Sequence, residues 1–275
     1  KEFIVLINKN LILLSVSQAL FNSSSSILVL TAGLVGFSLV GDNIAFATVP
    51  LSAMVIGTAI STAPAAMVMK NIGRKKGFSI GALLGVLGAI ISILGLIFSI
   101  FWLFVFGILF IGMYNGFSHH YRFAAADLAE KKFIGRSISL VIAGGVVAAF
   151  LGPEIASQTA DLFNLKYLGS YFSVLFIILL AFITLQFLTF EKIKYSKVET
   201  SEKSIKEIIF DQKFILAVMS SMIGYSVMVL VMTATPIAMV EHYSHSLNDA
   251  KYVIQWHVVA MFAPSFFTGS LISYF

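Results

Sequence analysis

WLFVFGILFIGMYNGFSHHYRFAAADLAE, Trp102 to Glu130, begins as an apolar segment and ends as a charged one. Its first 20 residues hold no Asp, Glu, Lys or Arg. A helix rises about 1.5 Å per residue, so that length reaches across roughly 30 Å, the thickness of a bilayer's hydrocarbon core. His119, His120, Arg122 and Asp127 then arrive together at one end. The stretch reads as a transmembrane helix whose polar end lies at a membrane surface.

The same pattern repeats along the chain. Of 275 residues, 59% are hydrophobic and only 11% are charged, against about 25% charged in an ordinary soluble domain. Apolar runs long enough to span recur at 11–36, 44–69, 77–100, 102–125, 137–160, 167–190, 214–240 and 251–275. Strands of a membrane barrel would be about half as long and would alternate in polarity, which these runs do not. The expected fold class is an all-α membrane protein, a polytopic helix bundle with eight transmembrane helices. No cysteine is present, which leaves out a disulfide framework or thiolate metal site. The first apolar run is too long for a cleavable signal peptide and others follow at once. The chain starts without Met and stops inside an apolar run, so a longer protein is the expectation.

Basic residues orient the bundle. With the N-terminus in the cytoplasm, fifteen of the 18 Lys and Arg fall on the inner side, in 1–9, 70–76, 131–136 and 192–213. Lys166 and Lys251 fall in outer loops, and Arg122 stands at the inner membrane edge. That bias predicts an N-in topology in a bacterial cytoplasmic membrane. The formal charge of +5 then faces anionic lipid, and a nucleic-acid partner is not expected.

One stretch interrupts the apolar pattern: EKIKYSKVETSEKSIKEIIFDQK, Glu191 to Lys213. Ile205, Ile208 and Ile209 recur there at helical spacing, which predicts a short amphipathic helix at the inner surface. The domain division follows: a six-helix bundle over 1–190, a cytoplasmic linker over 191–213, and two helices of a second bundle over 214–275.

Three local motifs add detail. The first is the loop Met69-Lys70-Asn71-Ile72-Gly73-Arg74-Lys75-Lys76. The second is Asp127-Leu-Ala-Glu-Lys-Lys-Phe-Ile-Gly135-Arg136. The third is Ala143-Gly-Gly-Val-Val-Ala-Ala-Phe-Leu-Gly-Pro-Glu154. In the third, Gly144, Ala148, Gly152 and Ala156 fall every four residues, a ridge of small side chains that lets another helix approach closely, and Pro153 removes a backbone donor.

In order and spacing, these motifs resemble those of the major facilitator superfamily, whose members have two six-helix halves joined by a long inner loop. Gly73, Arg74 and Lys75 match the second half of its loop 2–3 signature. Ala66, Lys70 and Asn71 depart from the first half, where Gly, Asp and Arg are usual. Asp127 and Arg136 match its loop 4–5, and the third motif is similar to a Gly-Pro signature found on helix five of exporting antiporters. The resemblance implies twelve helices in the whole protein, with eight present here. It also implies gating roles for Gly73, Arg74, Lys75, Asp127, Arg136, Gly152 and Pro153. YRFAAAD followed by GGVVAAFLGPE looks like a bacterial subgroup that includes candidate riboflavin importers, so import and export both stay open.

Polar residues inside apolar spans mark the candidate path, because each is costly in lipid unless it is paired or faces a cavity. Span one offers Gln18, Asn22 and Ser25 or Ser26 on one face. Span four offers Tyr114, Ser118 and Tyr121, or alternatively Asn115, His119 and Arg122 on the neighbouring face. Span seven offers Tyr225, Thr233 and Thr235. The resemblance places spans one, four and seven around a central cavity. Each of these faces would serve equally well as interhelical packing. Arg122 could hold an anionic solute or turn to lipid headgroups. Glu154, towards the outer end of span five, is the candidate proton carrier, with an ordinary interfacial carboxylate as the alternative reading.

The expected function is a secondary active transporter of a small organic solute working by alternating access, with proton coupling open. It would need no cofactor or metal and would act as a monomer in the bilayer. The alternative is a non-transporting membrane protein, a sensor or an intramembrane enzyme, on a similar bundle. No phosphate-binding loop or Ser/His/Asp arrangement appears in the sequence, and an enzyme is not expected.

Overall fold

A computed structural model of the chain describes residues 8–41, 43–130, 133–190, 207, 209–264 and 266–267. Its helices are α1 (Lys9–Val40), α2 (Val49–Ile72), α3 (Arg74–Ile97) and α4 (Phe101–Asp127), then α5 (Ile134–Thr159), α6 (Leu168–Gln186), α7 (Gln212–Ile237) and α8 (Leu247–Phe262). No strand occurs among the described residues. The first seven are long and apolar enough to cross a membrane. The eighth expected span is described as a helix only to Phe262, and its remainder lies outside the described residues apart from a few. Most of the expected linker helix, Ile205 and Ile208 included, lies outside them too.

Local chemistry sets the ends. Asn8 caps α1 by accepting from the Asn10 backbone N–H at 3.1 Å. The second helix begins at Val49, later than the run at 44–69 suggests, because Pro50 sits in its first turn. Proline there has no amide bond to lose and a preset φ, while Ile44–Phe46 form a separate 3-10 turn. Gly73 ends α2 and opens α3 at φ +91, a conformation a side chain would strain. α4 is interrupted by two turn residues, His119 and His120, and resumes at Tyr121. Asp211 caps α7 through the Lys213 N–H at 2.8 Å.

The last helix corrects the sequence reading. Ser246 and Asp249 form a reciprocal capping box, which starts α8 at Leu247 and lifts Lys251 out of its expected loop. Lys251 is 5% exposed, in the second turn of a helix.

The helices pack in two groups of three. In the first, α4 lies on α3 and α2. Gly81, Gly85 and Gly95 of α3 sit beneath Phe117, Tyr114 and Phe104, so the aromatic side chains of α4 fill space the glycines leave. Thr58 and Ser61 of α2 donate to the carbonyls of Gly112 and Met113 at 3.0 and 3.1 Å, hydroxyl bonds of the kind that join helices without water. In the second group, α1 packs on α5 and α6. The groups meet along α3 and α6, where Phe104 of α4 also stands edge-on to Tyr171, and again where Phe21 of α1 stands edge-on to Tyr114, His119 and Tyr121 of α4. Beyond them, α8 lies along α5, and α7 leans on α1.

Candidate functional site

Which way α1 presents its polar residues follows from what flanks them. Phe21 and Ser25 meet α4: the Phe21 ring lies 5.5 Å from His119, and the Ser25 hydroxyl donates to Asn115 Oδ1 at 3.4 Å. On another side, α1 meets Gly144 and Gly152 of α5. A Cβ on Gly144 would stand 2.6 Å from the Ser15 carbonyl, and one on Gly152 would stand 2.7 Å from that of Ser23. With 3.6 residues per turn, Gln18 and Asn22 occupy the sector between these two neighbours. About five turns further along α1, Gly36 stands in line with Gln18 and meets Ala47 and Pro50, while Gly33, where Ile237 of α7 would come within 2.9 Å of a Cβ, lies in line with Ser15.

The hydrogen bonding of Gln18 and Asn22 is incomplete. Gln18 Nε2 donates to Asn22 Oδ1 at 3.3 Å. Asn22 Nδ2 is buried with no partner among the described residues. Asn22 is 8% and Asn115 5% exposed. The half-buried His119 ring has no hydrogen-bonding partner among the described residues, only its edge contact with Phe21. Gln18, Asn22, Ser25, Asn115 and His119 thus form one uncharged polar patch across the α1–α4 gap.

The other candidates go elsewhere. Tyr114 and Ser118 turn into the packed interior: Tyr114 is fully buried over Gly85, and Ser118 donates to the Tyr121 hydroxyl at 3.3 Å. Arg122 is exposed, its guanidinium 5.1 Å from the centre of the Phe123 ring. Tyr225 is 47% exposed and lines a groove with Thr48, Ser52 and Ile56 of the α2 region, away from the patch. His120 holds the helix break by bonding its Nδ1 to the Gly116 carbonyl at 3.0 Å.

The loop residues form a clamp. Arg74 grips Asp127 through Nε at 2.6 Å and again through Nη2, both nitrogens donating to the one carboxylate oxygen Oδ2 in a charge-assisted contact. Lys75 donates to the Gln186 carbonyl at the end of α6 at 2.6 Å. One short loop thereby ties the ends of α4 and α6, while Arg136 stays exposed over Phe133.

The ridge on α5 turns to its own group. Gly144 and Gly152 face α1, and the Ala156 carbonyl accepts from Ser170 of α6 at 3.0 Å. A different face meets α8. Gly145 lies under Phe262, Phe150 against Trp256, and Glu154 Oε2 accepts from Lys251 Nζ at 2.9 Å. Gln158 donates to the other carboxylate oxygen at 3.0 Å. The sequence reading missed Lys251 as a partner. The Ser246-x-x-Asp249 spacing was the available signal, since a capping box fixes where a helix begins.

Apolar helices of spanning length, a clamped junction between α2 and α3, and a polar patch between α1 and α4 are the marks of a multi-pass membrane transporter fold. The chain matches the Major Facilitator Superfamily over residues 11–275, and it belongs to that superfamily. It is 40% identical over 270 residues to the riboflavin transporter RfnT of Brucella anthropi, covering 97% of this chain and 67% of that protein. It is also similar to two uncharacterized MFS-type transporters of Bacillus subtilis. YddS is 29% identical over 83% of this chain and 56% of its own length, and YdeG is 27% identical over 97% and 65%. The chain thus spans about two thirds or less of the length of these relatives. No solved structure matches it significantly.

Proposed function

We propose that the protein is a secondary transporter that moves riboflavin, or a solute of that flavin class, across a bacterial cytoplasmic membrane by alternating access. The observation that carries the substrate is the 40% identity to a riboflavin transporter along 97% of this chain. The patch of Gln18, Asn22, Asn115 and His119 supports the reading. It is uncharged and incompletely bonded, and there a neutral solute with many donors and acceptors would be held near the meeting of two halves.

The same proposal gives residues 1–190 and 214–275 to different halves, with the N-terminus and the linker cytoplasmic. α7 meets the first half at one end, while α8 lies along α5 from Glu154 to Gly145. Met232, Pro236 and Ile237 of α7 are buried, while its residues 212–227 are exposed throughout. Under N-in topology the closed end is the outer one. Arg74, Lys75 and Asp127 then brace the inner end of the first half, and Arg136 stands beside them.

Proton coupling through Glu154 belongs to this proposal. Its cationic partner, Lys251, lies in the other half, so parting the outer ends exchanges that partner for water or a proton. Glu154→Gln is accordingly expected to flatten the pH dependence of uptake while solute binding persists, measured as initial rates against pH. An unaltered pH profile removes that role. The substrate is tested in riboflavin-requiring bacteria without an importer of their own. Expression of the full-length protein is expected to restore growth at low external riboflavin, and failure to restore it counts against the flavin.

A further inference from the structure

We infer that Asn22, oriented by Gln18, reads the imide edge of the transported ring system. The inference rests on the flavin reading above and goes beyond it by naming the recognition group and the part of the solute that it meets.

Three observations carry it. Asn22 is nine-tenths buried, yet its Nδ2 has no partner among the described residues. A stranded buried donor is destabilising, and at a solute-facing position a ligand acceptor accounts for it. Second, Gln18 Nε2 holds Asn22 Oδ1 at 3.3 Å, which fixes the plane of the amide and still leaves that oxygen a second lone pair. A fixed carboxamide presents a donor and an acceptor side by side. The dioxopyrimidine ring of a flavin presents C=O, N–H and C=O along one edge, so Nδ2 donates to a ring carbonyl while Oδ1 accepts the ring N–H. Third, the patch lies in the sector of α1 between α4 and α5, and the Phe21 and His119 rings stand edge-on to each other beside it at 5.5 Å. The ribityl chain of the solute, rich in hydroxyls, has no part in this edge.

The test uses the full-length protein in proteoliposomes, with labelled riboflavin and with 3-methylriboflavin, whose ring N–H is blocked. Wild-type protein is expected to prefer riboflavin about tenfold in KM, the effect of one well-formed hydrogen bond. Asn22→Ala, and Asn22→Leu, which keeps the bulk without the amide, are expected to raise the riboflavin KM about tenfold and bring the preference to about one. Their melting temperatures should stay near wild type, since the stranded Asn22 donor goes while Gln18 Nε2 loses its acceptor. Riboflavin uptake with no preference in wild type, or a preference that survives in the Asn22 variants, overturns the assignment and leaves the flavin reading standing. No riboflavin uptake by wild type overturns both.

Discussion

Glu154→Gln is expected to destabilise the protein by about 3 kcal/mol, and Lys251→Met by about 1 kcal/mol or less. The asymmetry comes from burial. The Lys251 side chain is 6% exposed, that of Glu154 47%. Removing the carboxylate strands a buried ammonium, and breaking a buried pair from one side costs about 3–5 kcal/mol. The exposed Glu154 admits some water to its partner, which puts the expectation at the lower end. Removing the lysine leaves a carboxylate that solvent and Gln158 still serve, with Gln158 Nε2 at 3.0 Å. The double variant should therefore resemble Lys251→Met alone, with a coupling energy of about 3 kcal/mol. Equilibrium unfolding or melting of the four proteins in detergent measures it. Additive losses would show that the contact contributes nothing at this interface.

Gly152→Leu is expected to leave almost no monodisperse protein, and Gly152→Ala to cost about 1–3 kcal/mol, the usual penalty of overpacking. A Cβ at this position would lie 2.7 Å from both the Ser23 carbonyl and the Ser26 Cβ of α1. Neither is the far end of a flexible side chain, so α1 itself must move. Gly144 repeats the situation against Ser15 two turns earlier. Size-exclusion profiles and melting temperatures check this. A folded, wild-type-like Gly152→Leu would show that α1 and α5 do not cross as closely as described here.

These two sites also show how far the sequence reaches. The spans were legible because apolar length is a property of the chain alone: 11–36 sits inside α1, and 214–240 overlaps α7 to within three residues at each end. Facing is a different matter. Tyr114 and Asn115 are neighbours about 100° apart on a helix, and composition offers no ground for preferring either. Gly85 receives Tyr114, and Ser25 receives Asn115; only packing separates interior from patch. The α5 ridge was legible as a close-packing surface, but its partner was not. It faces α1 of the same group, while the face through Gly145, Phe150 and Glu154 meets α8. Lys251 shows how a boundary error of four residues changes a role. As a loop cation it is a topological marker, and inside α8 it becomes a buried partner for Glu154.

The central claim is that this chain is part of a membrane transporter that carries a flavin-class solute. Time-resolved uptake of labelled riboflavin into proteoliposomes holding the full-length protein tests it most directly. The account predicts saturable accumulation above protein-free vesicles, competed by unlabelled riboflavin. Uptake no faster than in empty vesicles, with or without a pH gradient of either sign, would contradict it.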